Sequence, residues 1–212
     1  MGLFSRSQQP AETPAPAQPT TTAGGGVSLT KGSRITLTKT TERPTITASN
    51  GWTAAGKDYD LKALVRYRDG RLVYVGAANA DEARATAEGA VRHSGDARAA
   101  GELETITITW HPDIASVALS SYSALENGMG SFRKYGAYVT ITNGPQVVGL
   151  AASDASAKGS QYTLCFGEVL FGSDQSFTVV NLEQYSRRGS ENRIGYVGDV
   201  VTMDIGPKGQ KK

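Results

Sequence analysis

The run Lys57-Asp58-Tyr59-Asp60-Leu61-Lys62-Ala63-Leu64-Val65-Arg66-Tyr67 sets the reading of the whole chain. Tyr59, Leu61, Ala63, Val65 and Tyr67 fall on one parity. Asp58, Asp60, Lys62, Arg66 and, just beyond, Arg68 fall on the other, with Leu64 as the exception. That period of two belongs to a half-buried β-strand. On such a strand the carboxylates of Asp58 and Asp60 leave the same face roughly 7 Å apart, twice the rise per residue. Two carboxylates so placed repel unless they are well solvated or a cation lies between them. A charged, solvated strand end and a site for a hard ion such as Ca²⁺ are therefore the two readings of the pair.

Outward from this strand the chain keeps the same grammar. Asp69-Gly70 is a strong hairpin signal, which makes Leu72-Val73-Tyr74-Val75 the antiparallel return strand. Upstream, Val27-Ser28-Leu29 and Arg34-Ile35-Thr36-Leu37-Thr38 alternate around Lys31-Gly32 and read as a hairpin, with a further strand at Thr45-Ile46-Thr47-Ala48. Downstream, the Ala-rich segment 77–88 is expected as one short helix or an ordered loop, and 91–93 as a short strand. Residues 104–110 alternate strictly, placing Ile106, Ile108 and Trp110 inward, and 114–122 resumes the pattern after Pro112-Asp113. Strands at 135–142 and 146–150 pair across Asn143-Gly144-Pro145, and those at 162–171 and 176–182 lie either side of Gly172-Ser173-Asp174. Many short strands with turns between them predict an all-β fold, an antiparallel sandwich of two sheets.

Both ends lose the pattern. Residues 1–26, rich in Gln, Pro, Ala and Thr and closing on Gly24-Gly25-Gly26, read as a disordered linker, because such a composition buries too little apolar surface to offset ordering entropy. Leu3 and Phe4 at its start are either a small hydrophobic handle for a partner or a frayed terminus. Beyond the domain at 27–185, the extension 186–212 is expected to add at most an edge strand at 197–205 before a loose basic end at 208–212.

The 212 residues carry 22 basic and 20 acidic side chains, so the balance implies no polyelectrolyte partner. One cysteine, Cys165, rules out an internal disulfide and points to a reducing compartment. No apolar run approaches the roughly 20 residues of a membrane helix, and Met1-Gly2-Leu3-Phe4-Ser5-Arg6 fits neither a secretory signal nor a myristoylation site. Cytoplasmic is the expected location.

In order along the chain, Gly26-Val27-Ser28-Leu29-Thr30-Lys31-Gly32, Gly51-Trp52, Asp58-Tyr59-Asp60-Leu61, His93-Ser94-Gly95-Asp96, the acidic stretch Glu102-Leu103-Glu104 and Phe166-Gly167-Glu168-Val169-Leu170-Phe171 resemble the TerD family of tellurium-resistance and bacterial stress-response proteins. The likeness spans residues 26–185. It implies a sandwich of two antiparallel sheets, a cytoplasmic stress-response protein without enzymatic chemistry, and Ca²⁺ held by acidic residues where loops meet. Carried over position by position, the ligand candidates are Asp58, Asp60, Asp96, Glu102 and Glu104.

The departures bear on that site. Lys62 stands where the family usually has a third acid of the strand, Ala97 replaces an amide, Leu103 interrupts the acidic run, and the loop before it is shortened to Arg98-Ala99-Ala100-Gly101. Lys62 shares a strand face with Asp60, so its ammonium is expected to stand in for a bound ion. The resulting expectation is a degenerate site that binds Ca²⁺ weakly or not at all, partly replaced by a salt-bridge network. The alternative reading is a metal-independent scaffold or adaptor tethered to a larger assembly by its N-terminal linker.

Other constellations carry less. His93, Ser94 and Asp96 are neighbours in one turn and cannot set up the contacts of a catalytic triad. His93, His111 and Cys165 match no zinc spacing. Cys165, in an apolar strand, reads as a small buried hydrophobe. Arg66, Arg68 and Arg71 around the Asp69-Gly70 hairpin are either a partner-binding patch or a charged edge that resists strand-to-strand aggregation.

Overall fold

The computed structural model describes residues 20–21, 26–39, 41–77, 81–97, 103–123, 127, 132–154 and 160–208. Among these the regular structure is entirely β. One sheet has the order β1(Thr20–Thr21), β2(Val27–Leu29), β11(Gln146–Ala151), β10(Tyr138–Asn143), β4(Thr45–Gly51), β8(Thr105–Thr109) and β7(Val91–His93). The other runs β3(Arg34–Leu37), β13(Phe177–Tyr185), β12(Thr163–Phe171), β9(Ile114–Ser123), β5(Tyr59–Tyr67) and β6(Leu72–Val75). The pairing is antiparallel except for β2 beside β11. No helix among the described residues is long and apolar enough to cross a membrane.

The main core lies between the sheets. Tyr59, Leu61, Ala63, Val65 and Tyr67 of β5 meet Ile46 and Ala48 of β4, Ile106 and Ile108 of β8 and Val117 and Leu119 of β9, all buried. These are the alternate positions that the strand period assigns to one face.

The opposite face of β5 corrects the half-buried expectation. Its outward positions Asp60, Lys62 and Leu64 are buried as well. What covers this face at Leu64 is the C-terminal extension, which forms its own hairpin, β14(Gly195–Val197) with β15(Val200–Thr202), in place of an edge strand. Ile194 and Val201 of this cap make a second apolar core with Leu64, Ala118 and Cys165, joined by Tyr74, Leu182, Tyr196 and Met203. Leu64 thus breaks the alternation because its side of the strand is also dry. Lys208 is pinned in a bridge to Asn192, and 209–212 lie outside the described residues.

Two further expectations change, and one open alternative is decided. β2 and β3 are not a hairpin but belong to different sheets. The turn between them closes locally, Ser33 N–H donating to Thr30 O at 3.0 Å, yet Asn181 of β13 decides where the chain goes. Its amide donates to Leu29 O at 2.6 Å, its N–H to Ser33 O at 2.9 Å, and its carbonyl accepts from Gly32 N–H at 2.8 Å. Thr20–Thr21, inside the expected linker, pairs with β2 at the rim of the sheet, since an edge strand offers unpaired backbone groups. The 81–90 stretch is the ordered loop, not the helix: isolated bridges join Ala83 to Val75 and Ala85 to Arg92. Leu3 and Phe4 lie outside the described residues.

Candidate metal centre

Asp60 is the second residue of β5, Asp96 follows β7, and Glu104 leads into β8. Carboxylate oxygens of these three residues lie within 4.8 Å of one another, Asp60 and Glu104 being buried and Asp96 half-buried. The local sequence fixes each in turn. Ser94 N–H donates to Thr105 O at 2.8 Å and Thr105 N–H to Ser94 Oγ at 3.0 Å, a clasp that sets the loop bearing Asp96 against the strand after Glu104. Gly95 adopts φ +115°, and a Cβ there would run into the guanidinium of Arg84, which donates to Ser94 O at 3.1 Å. Only glycine combines that backbone with that cover.

Glu104 is tied to the central strand directly: its Oε2 accepts the Leu61 N–H at 2.5 Å. His93 completes the brace. Gly95 N–H donates to its Nδ1 at 2.9 Å, so Nδ1 is the acceptor and the proton sits on Nε2, which donates to Leu61 O at 3.0 Å and lies 3.6 Å from Glu104 Oε2. Both ring nitrogens of His93 are committed to backbone groups, and Ser94 Oγ accepts from Thr105 N–H, so these side chains brace the turn.

Asn50 links the two strands of the site. Its amide donates to Tyr59 O and its N–H to Glu104 O at 3.3 Å, while its buried Oδ1 has no hydrogen-bond partner among the described residues. The donor set suits a hard cation. Ligand oxygens at about 2.3 to 2.6 Å from a Ca²⁺ stand up to about 5 Å apart, which accommodates the three carboxylates.

The remaining sequence candidates separate. Asp58 precedes β5 and is held by its backbone, Asn127 Oδ1 accepting its N–H at 2.8 Å and the Asn127 amide donating to its carbonyl; its carboxylate is not in the three-residue group. Glu102 lies outside the described residues. Lys62 shares a strand face with Asp60, and its Nζ pairs with Glu82 Oε1 at 2.5 Å. Glu82 Oε1 also faces Arg193 NH1 of the cap at 3.2 Å, and Arg193 NH2 bonds Asp81. Arg66 is engaged by Asp199 at 2.7 Å and Ser116 at 3.2 Å, and Arg68 by the carbonyls of Pro112 at 2.7 Å and Phe171 at 3.1 Å. Arg71 stacks on the Tyr67 ring at 4.0 Å. The three guanidiniums thus serve three different local contacts. Cys165 is buried in the second core, where burial pushes its thiol well above the usual range.

Asn50, Glu82 and Asn127 escaped the sequence reading. A short polar side chain beside Gly51-Trp52 was the only trace of the first, and the other two owe their roles to residues far away in the chain.

No family model and no curated protein matches this chain. Among solved structures, the crystal structure of the unknown-function protein SAV2460 is similar, at 12% identity and a TM-score of 0.49, covering 71% of this chain and 92% of that one.

Proposed function

We propose that this chain is a non-enzymatic, calcium-binding β-sandwich of the TerD stress-response type, acting in the cytoplasm, with Asp60, Asp96 and Glu104 as its carboxylate ligands. The observation that carries this reading is the convergence of three acids from three separate elements to within 4.8 Å. Such a group gains from a divalent ion, because close like charges destabilise one another. A bound ion would fix the 93–97 loop to β5 and β8 and so set the surface shown at that end of the sandwich. The order of sequence motifs along 26–185 supports the family.

Calorimetric titration with Ca²⁺, paired with melting curves in Ca²⁺ and in chelator, tests the proposal. Saturable binding and a melting temperature raised by Ca²⁺ are expected; at a hundredfold excess over Kd the gain is about 2.7 kcal/mol. Glu104→Gln keeps an acceptor for Leu61 N–H and removes the charge, and it should abolish the shift. A flat titration with no change in melting would overturn the calcium reading. It would leave the metal-independent scaffold, for which the exposed cross-strand pair Val197 and Val200 at the cap's tip offers an apolar contact point.

A further inference from the structure

β3 is the outermost strand of its sheet, and β2 and β11 lie near the end of the other. Between them runs an apolar groove of about 190 Å³. Val27 of β2 and Val147 and Val148 of β11 line it from one sheet, Ile35 and Leu37 of β3 from the other, and Pro145 of the β10–β11 turn completes it. Gln146, the polar side chain of the lining, is spent on holding the walls together. Its Oε1 accepts the Thr38 N–H at 3.0 Å and the Asn143 amide at 2.9 Å, and its own amide donates to Thr38 Oγ1 at 3.2 Å. The Asn143 amide also donates to Thr38 O at 2.8 Å. These bonds latch the end of β3 to the β10–β11 turn. The groove is thus preformed, and it offers an occupant apolar contact rather than hydrogen bonds.

The chain brings its own occupant to this edge. β1 lies against β2 with Thr21 opposite Val27, so residues 1–19 join the fold beside a wall of the groove. Residues 5–19 hold only Ser, Arg, Gln, Pro, Ala, Glu and Thr, which confines the large apolar side chains of this segment to Met1, Leu3 and Phe4; Phe4 is the only aromatic residue ahead of Trp52. An apolar cavity of about 150 Å³ takes up a benzene ring, so the groove has the size of one phenyl side chain. Antiparallel pairing sends the chain from Thr20 toward the Leu29 end of β2, away from Pro145, so Phe4 must return roughly 10 Å along the strand. The stretch 5–19 covers that distance, since its ends stand roughly 20 Å apart as a flexible coil and about 45 Å apart as stretched polyproline.

We infer that this groove is the docking site of the chain's own N-terminus, with Phe4 in the groove and Leu3 beside it. A segment on a short linker acts at a millimolar effective concentration, so a contact with a Kd of about 0.1 mM between separate molecules is closed about ten times out of eleven. The docked tail withholds this apolar edge from other proteins, and a partner with an aromatic anchor has to displace it. The inference is independent of any cation at the acidic centre.

Fluorine NMR of the full chain, with 4-fluorophenylalanine in place of Phe4, tests this against a free peptide of residues 1–12 carrying the same label. The expected signal is displaced from that of the peptide, is unchanged on tenfold dilution, and moves to the peptide position in Val147→Asp, whose folding is checked by circular dichroism and melting. A second measurement serves if that variant does not fold: Phe4→Cys combined with Pro145→Cys should close under mild oxidation into a disulfide-bonded monomer. A parent signal at the peptide position, or a displaced signal that a folded Val147→Asp leaves in place, would overturn the inference. So would a signal that shifts on dilution together with a cross-linked dimer, which would seat the tail of a second copy in the groove. Failure of the cysteine pair to close would overturn it as well.

Discussion

Two groups of acids flank β5, and their chemistry differs. At the Asp60, Asp96 and Glu104 centre carboxylate meets carboxylate. At Asp81 and Glu82 carboxylate meets cation, with Lys62 supplied by the central strand and Arg193 by the cap. The strand contributes one member to each, Asp60 and Lys62, only two positions apart. Sequence proximity therefore does not decide which carboxylate a lysine serves; the fold does, by carrying Glu82 and Arg193 to the same spot. One group could hold a metal ion, and the other sets charges of the central strand and its neighbouring loop against Arg193 of the cap.

If fastening is what the second group does, Arg193→Met should give the largest loss. Removing Arg193 takes one of two cations from the buried Glu82 carboxylate, which keeps Lys62, so the loss is set at about 3 kcal/mol, the low end of what breaking a buried pair costs. Urea unfolding should show that loss, and limited proteolysis should show new cleavage within 186–208. A change below about 1 kcal/mol would mean that the apolar contacts of Ile194 and Val201 hold the cap unaided.

The two faces of β5 allow a sharper comparison. Leu61 lies in the main core and Leu64 in the second, both fully buried. Each truncation to Ala should cost about 2 to 5 kcal/mol if both cores unfold together. Should Leu64→Ala cost well under half of Leu61→Ala, with an unchanged denaturant slope, the cap behaves as a separately melting unit in the parent chain as well.

The inward face of β5, its hairpin to β6, and the strands at 104–110 and 114–122 were all legible from alternation, because one side of each meets a core built by that same period. The outward face was not legible. Its cover arrives from residues 186–208, where Gly, Arg and Asp outnumber the apolar positions and Ile194, Tyr196, Val201 and Met203 are the ones that pack. The trace of it in the sequence was Leu64 itself, with Ala118 and Cys165 as its outward neighbours, an apolar patch on a face expected to be wet. The β2–β3 turn misled for a related reason. A turn signal fixes the local reversal but not the sheet that the next strand joins, and Asn181 settles that from about 150 positions away. At the site, Asp60 came from the strand period and Asp96 and Glu104 from the family resemblance. Asn50 and Glu82 came from neither, since both act through contacts with distant backbone or distant charge.

Asp81 provides the smallest test and separates the two carboxylates that Arg193 touches. Glu82 is buried under the cap, whereas the Asp81 side chain is 41% exposed. Its hydrogen bond with Arg193 holds its carboxyl below the usual aspartate value. A folded-state pKa depressed in this way contributes stability above the unfolded-state value near 3.8, and that contribution is lost as pH falls through and below it. Because water screens a half-exposed pair, Asp81→Asn should cost no more than about 1 kcal/mol at neutral pH. The variant should also be less sensitive to acid between about pH 4 and pH 2 than the parent chain, whose Asp81 must be protonated there. A loss as large as that of Arg193→Met would place the anchoring charge at the rim and make Glu82 a bystander; a small loss with a flattened acid limb keeps the anchor at the buried pair.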